Sequence, residues 1–147
     1  MQWSDIDFNA RVITLPPDKH KTGYKTNKPL RLNLNDTAFD TLRAWRDQCK
    51  EKSPTGYVFP SPKTGGKLDN ISTSWENLMK AASIENFRFN DLRHTFASRL
   101  AMNGVPLNTI REAMGHCNID MTLRYAHLSS EKIEESVKTL DRYYENR

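Results

Sequence analysis

The chain has 147 residues, of which 37% are hydrophobic and 27% charged, with 22 Lys and Arg against 18 Asp and Glu for a net charge of +4. That length suits one core and is short for two ordinary ones, so residues 1–147 are read as a single domain. No apolar run approaches the roughly 18–20 residues of a spanning helix, Met1-Gln2-Trp3-Ser4-Asp5 has neither the basic nor the apolar part of a secretory leader, and Cys49 and Cys117 alone exclude a disulfide scaffold. The expectation is a soluble, cytoplasmic protein with no membrane association, in a reducing compartment. Its basic balance permits a polyanionic partner without requiring one.

The first third reads as strand and turn. Asp5–Phe8 and Arg11–Leu15 are short strands with Asn9-Ala10 turning between them. Pro16-Pro17 ends the second, because proline supplies no ladder donor. The polar stretch 18–28 holds Lys19, Lys21, Lys25 and Lys28 and reads as an exposed loop or hairpin tip. Leu30, Leu32 and Leu34 then alternate with Arg31, Asn33 and Asn35 at the period of a half-buried strand.

The rest is mostly helical. Asn35 or Asp36 caps a helix carrying Phe39, Leu42, Trp45 and Cys49. Residues 52–67 form a Pro-, Gly- and Ser-rich connection in which Tyr57-Val58-Phe59 reads as a short strand. Asp69 or Asn70 opens a helix with Ile71, Trp75, Leu78 and Met79. Another runs from Asn90 to Met102 and stops at Asn103-Gly104. Pro106 starts one that reaches Gly115, and Asn118 starts one that reaches His127. Ser129 or Ser130 caps a last helix striped by Ile133, Val137, Leu140 and Tyr144. The fold class expected is α+β, a small N-terminal antiparallel sheet on a mostly helical body.

The chemistry-bearing residues fall in three blocks. Asn90-Asp91-Leu92-Arg93-His94-Thr95-Phe96 comes first, then Met114-Gly115-His116, then Thr122-Leu123-Arg124-Tyr125-Ala126-His127. Arg93 and His116 are 23 residues apart, and His116 and Tyr125 are 9 apart. This order and spacing resemble the catalytic domain of the tyrosine recombinases, the phage integrase family. Upstream, Lys25 to Leu34 looks like that family's β-hairpin, and Trp3-Ser4-Asp5-Ile6-Asp7 looks like the segment after its first arginine helix. The resemblance thus spans nearly the whole chain.

The resemblance implies site-specific DNA recombination through a 3′-phosphotyrosine, on double-stranded DNA, with no metal or nucleotide cofactor. The residue types suit that reaction. A phenol with a pKa near ~10 needs help to lose its proton. Charge on the non-bridging phosphate oxygens calls for a guanidinium fork, and a basic leaving alkoxide calls for a positioned acid. By resemblance Tyr125 is the nucleophile, Arg93 the phosphate clamp, His116 a phosphate hydrogen-bond partner and Lys25 the general acid, with Lys21 as the rival for that last role. Asn90 stands where the family has His or Lys; it shares a helix face with Arg93 but cannot accept a proton. Lys19, Lys21, Lys28 and Arg31 are read as DNA phosphate contacts. His94 is read as structural, and His127 is left unassigned. The family's other arginine, on a helix before the Trp3 segment, is expected to precede Met1, so the chain corresponds to the C-terminal part of a catalytic domain and is expected to be catalytically crippled by itself, with one phosphate clamp absent.

Around the nucleophile, Ile119, Leu123 and Ala126 form the expected apolar stripe, with Tyr125 about 200° from Leu123 and off that stripe. By resemblance, the segment Lys132–Tyr144 docks on a neighbouring protomer in a DNA-bound homotetramer. The competing reading is a truncated, non-catalytic DNA-binding module. In it Phe96–Ile110 forms a helix-turn-helix with Gly104 at the turn. That reading gives no reason for the spacing of Arg93, His116 and Tyr125.

Overall fold

The computed structural model describes residues 1–128 together with Val137, Asp141 and Glu145. The expected last helix, 132–144, lies outside the described residues apart from Val137 and Asp141. Two compact units divide the chain, Met1–Asn86 and Phe87–Arg147.

The first unit begins with a three-stranded antiparallel sheet: β1 (Ile6–Asp7), β2 (Val12–Leu15) and β3 (Leu30–Asn33), in that order across the sheet. The Asp7 carboxylate accepts from the backbone N–H groups of Asn9 and Ala10, both at 2.8 Å, which holds the tight turn between β1 and β2. The register places Ile6 opposite Ile13 and Ile13 opposite Leu32, so all three share a face. That face packs with Trp3, Val58, Leu15 and Leu34 into a core. The neighbouring rung, Thr14 and Arg31, points the other way and is exposed.

Asn35 caps helix α2 (Asp36–Gln48) by accepting from Ala38 N–H at 2.9 Å. Leu42 and Cys49 join the sheet core, and the Trp45 indole donates to Val58 C=O at 2.7 Å. Val58 is fully buried but lies in no strand, because Tyr57 makes only an isolated bridge to Gln2. The apolar triplet at 57–59 reflects that burial rather than ladder pairing. Helix α3 (Ser72–Ala81) follows, opened by Asn70, whose side chain accepts from Ser72 N–H at 2.7 Å.

The connection between β2 and β3 is built rather than loose. A 3-10 turn at Pro17–Lys19 is followed by one helical turn, α1 (Gly23–Thr26). Gly23 is buried against Pro17, and a Cβ added there would stand 2.1 Å from the Pro17 carbonyl oxygen. Only glycine allows this approach. Asn27, at φ 49°, ends α1 in the left-handed conformation that Asn tolerates.

The second unit holds α4 (Phe89–Met102), α5 (Leu107–Ala113) and α6 (Asp120–Leu123). Ala97 and Ala101, one turn apart on α4, are fully or almost fully buried and pack with Ile110, Met114 and Tyr125. The segment expected as a helix over 118–127 is α-helical only at 120–123; a turn at 124–125 and a 3-10 turn at 126–128 follow. This break overturns the expected stripe. Leu123 is 49% exposed, while Tyr125 is 5% exposed and belongs to the core. A constant 100° step assigns the wrong face once the helix stops before the tyrosine.

Among the described residues, no helix is long and apolar enough to cross a membrane. Gly23→Ala is expected to lower stability by about 2 kcal/mol or more, since backbone must move to admit the methyl group. Urea unfolding followed by tryptophan fluorescence checks this, with Gly66→Ala as the control, whose nearest contact would be an ordinary 3.4 Å.

Candidate active site

Helix α4 carries three of the residues in question on its first two turns. Its start is capped by Asp91, whose carboxylate accepts from Arg88 N–H at 2.8 Å and from the Arg88 guanidinium at 3.1 Å. These bonds, the backbone one foremost, hold the Asp91 carboxyl below its usual range. Asn90, Arg93 and His94 follow at spacings that set them on neighbouring faces of the helix.

Both α4 and α5 end in the same six-residue motif. After α4, Gly104 (φ 72°) donates to Ala101 C=O at 2.8 Å and Val105 donates to Leu100 C=O at 3.0 Å. After α5, Gly115 (φ 65°) donates to Glu112 C=O at 2.9 Å and His116 donates to Arg111 C=O at 3.0 Å. These are the paired bonds of a Schellman closure, with glycine at its left-handed position. The second closure folds the chain back at Gly115 and so fixes where His116 stands. The helical hairpin α4–α5, which the sequence likens to helix-turn-helix, is thereby the scaffold of the site residues.

Arg93 crosses to the end of α5, where its Nη2 donates to Met114 C=O. His116 is buried, and its Nδ1 lies 2.8 Å from the hydroxyl of Thr122, itself fully buried. With the hydroxyl donating, Nδ1 accepts and the ring proton sits on Nε2, where it can be offered to a phosphate oxygen. Burial first, then the charges of Arg93, Arg124 and His94, push the His116 pKa below its ordinary 6.5. The ring is therefore neutral near pH 7.

The Tyr125 hydroxyl lies 2.7 Å from His94 Nδ1, and His94 Nε2 lies 3.3 Å from Asn90 Nδ2. The nucleophile expected from the sequence thus meets the histidine read as structural. Asn90, Arg93, His116 and Tyr125 all fall in the second unit, joined by His94, Thr122 and Arg124, which the sequence reading did not assign to the site. Thr122 carried a signal in hindsight: six residues past His116, it is a polar residue placed between apolar neighbours.

The cationic residues expected on the hairpin fall in the first unit. Lys19 is engaged elsewhere: its Nζ sits 2.7 and 3.0 Å from the two oxygens of buried Asp5 and 2.6 Å from Gln2 Oε1. This pairing corrects its reading as a phosphate contact, since one ammonium compensates the buried carboxylate. Lys21 is exposed and lines a cleft of about 420 Å³ with His20, Tyr24, Tyr57 and Lys67. Lys25 is exposed on α1, and Lys28 and Arg31 are exposed beyond it. Among the described residues, no group of three or more His, Cys, Asp and Glu stands in position to hold a metal ion.

The depressed His116 pKa has a consequence for stability. As pH falls below 6.5, the unfolded chain binds a proton that the folded chain does not. The stabilisation is complete above that value and is lost as pH falls towards the folded value. The melting temperature is expected to fall more steeply between pH 7 and pH 5 than in His116→Gln, as read by thermal melts across that range. Equal slopes in the two proteins would show that His116 is not held neutral by the fold.

The pattern of the phage integrase family matches residues 1–132. The integrase of Salmonella phage P22 is 34% identical over 148 residues, which cover 96% of this chain and 37% of that protein. The solved catalytic domain of bacteriophage HP1 integrase is 28% identical, with a TM-score of 0.61 over 94% of this chain and 68% of its own. The Tn1549 transposon integrase, solved in complex with transposon right end DNA, shares the fold at a TM-score of 0.74 and 21% identity, over 96% of this chain and 52% of that one. The chain spans between 36% and 44% of the length of three curated relatives it matches. With its sheet, its helical hairpin and the Arg93, His116 and Tyr125 blocks in order, the chain belongs to the phage integrase family.

Proposed function

We propose that this chain carries the strand-cleavage and religation chemistry of a site-specific DNA recombinase, with residues 1–147 working as one part of a catalytic domain. The observation that carries this reading is the gathering of Arg93, His116 and Tyr125 in one unit, with the Tyr125 hydroxyl hydrogen-bonded to His94. Tyr125 Oη attacks a backbone phosphorus, and the O5′–P bond breaks. A 3′-phosphotyrosine ester forms, which a 5′-hydroxyl reverses on religation. The two phosphodiester bonds are nearly equal in energy, so no nucleotide cofactor is called for.

Arg93 neutralises charge on the non-bridging oxygens, and neutral His116 donates from Nε2 to one of them. Lys25 protonates the departing O5′, with Lys21 as the rival for that role. Lys21, Lys28 and Arg31 neutralise DNA phosphates and make binding salt-dependent. The solved Tn1549 relative on its transposon end supports double-stranded DNA as the partner. Assembly into a homotetramer on DNA through 132–144 belongs to the same proposal, as does a cytoplasmic setting.

The test mixes supercoiled plasmid with a purified protein that carries these residues together with the preceding arginine helix, and quenches with SDS. Covalent protein–DNA adducts are expected, with a tryptic phosphotyrosine at position 125. Tyr125→Phe should reduce them by at least about 10³-fold. Lys25→Ala should reduce them by about 10²-fold or more, and Lys21→Ala by less. Adducts that persist in Tyr125→Phe would sink the nucleophile assignment. The reverse order of the two lysine variants would move the acid to Lys21. For assembly, truncation before Ser130 is expected to leave a monomeric species on DNA by sedimentation; unchanged self-association would exclude docking through 132–144.

A further inference from the structure

The phosphotyrosine reading leaves one step unassigned: where the Tyr125 proton goes. Arg93 stays charged throughout, and Asn90 has no basic site. His116 has its Nδ1 occupied by Thr122. The side chain in contact with the reacting oxygen is His94, 2.7 Å away through Nδ1. That distance is within the range for direct proton transfer.

We propose that His94 is the general base that takes the Tyr125 proton, and that Asn90 is the positioning residue that sets its tautomer. The proposal rests on Tyr125 being the nucleophile. As Tyr125 Oη forms its bond to phosphorus, its O–H bond breaks and the proton passes to His94 Nδ1. His94 becomes an imidazolium, and the O5′ leaving group takes its own proton from the lysine. On religation the imidazolium returns the proton to the departing phenolate, and the cycle closes without a co-reactant.

Asn90 suits this role as neither Asp nor Lys would. For Nδ1 to accept, the ring proton must sit on Nε2 and needs an acceptor. Asn90 Nδ2 lies 3.3 Å from Nε2, and a half-turn of the amide sets Oδ1 there instead. The same oxygen satisfies the N–H of the neutral ring and that of the imidazolium, and a half-turn back satisfies the other tautomer. A lysine there would repel the imidazolium, and a carboxylate would hold it charged. Among the described residues, the charge interactions of His94 run to Asp91 on its own helix and to His116 from the segment after α5, which Arg93 and Arg124 also act on.

The test is the pH dependence of single-turnover adduct formation on supercoiled plasmid. The unsubstituted protein should give a rate that rises with pH and then levels. His94→Ala should be slower by about 10²-fold or more at neutral pH, should climb with pH without levelling, and should regain rate in proportion to added imidazole. Asn90→Ala should reduce the rate less and shift the profile. A His94→Ala protein with the unsubstituted rate and profile would overturn the assignment of His94 while leaving Tyr125 as nucleophile. No adduct from an unsubstituted protein that also carries the preceding arginine helix would overturn the phosphotyrosine reading itself, and this inference with it. If His94→Ala does not fold, nitrogen-15 NMR of histidine in the intact protein decides. An unprotonated Nδ1 on the neutral ring that responds to Tyr125→Phe supports the base, and a protonated Nδ1 overturns it.

Discussion

The carbonyl group of Met114 is the point on which the second unit turns. It sits at the end of α5, where the helix leaves its last C=O groups without intrahelical partners. Arg93 reaches it from α4 and offers a positive charge at the negative end of the helix. One residue on, Gly115 adopts φ 65° and sends His116 back over the last turn. The side chain of Met114 itself and, a turn earlier, that of Ile110 belong to the core that holds Tyr125. Anchoring the arginine, placing the histidine and packing the tyrosine are therefore not three separate demands on the sequence. They meet within Ile110–His116, and a side chain at Gly115 would disturb all of them at once.

The first unit solves a different problem, that of presenting cations on a connection without leaving it slack. Asp5 is buried and requires a partner, and Lys19 supplies it. That ion pair ties the start of the β2–β3 connection to the N-terminus. Four residues on, Gly23 seats α1 directly against Pro17. With Lys19 engaged, the ammonium groups of Lys21, Lys25 and Lys28 extend from a backbone that is anchored at both ends. Ordering the connection in the free protein removes part of the entropy that binding would otherwise cost.

The elements legible in the sequence were those whose signal is local. The Leu30–Leu32–Leu34 alternation, the Asn35 cap and the glycines after Met102 and Met114 each carry their own reason, and each appears in the structure where the pattern put it. The site blocks were legible because their order and spacing resemble a family, not because any one residue announces itself. What escaped was set by tertiary contacts. The burial of Val58 without a strand depends on Trp45 and the sheet, which no window around 57–59 contains. The inversion of Leu123 and Tyr125 came from extending a helical period past Leu123, where the helix ends. His94 was passed over because its partner stands 31 residues away, a separation that periodicity does not reach.

The electrostatics of the second unit point outward. Arg93, Arg124 and His94 all bear on His116 and disfavour its protonation. The nearby carboxylate of Asp91 is already occupied by Arg88 at the helix start. Among the described residues, neither Arg93 nor Arg124 makes an ion pair with a carboxylate. Like charges gathered without a counter-ion destabilise the folded state, so a protein keeps them together where an anion completes the set. A dianionic or monoanionic phosphate placed between them would lower the potential at His116, raise its pKa towards the ordinary value and stabilise the fold by mass action. The histidine is depressed by burial first and by these charges second. An anion placed there would offset the cationic part of the shift and leave the part due to burial.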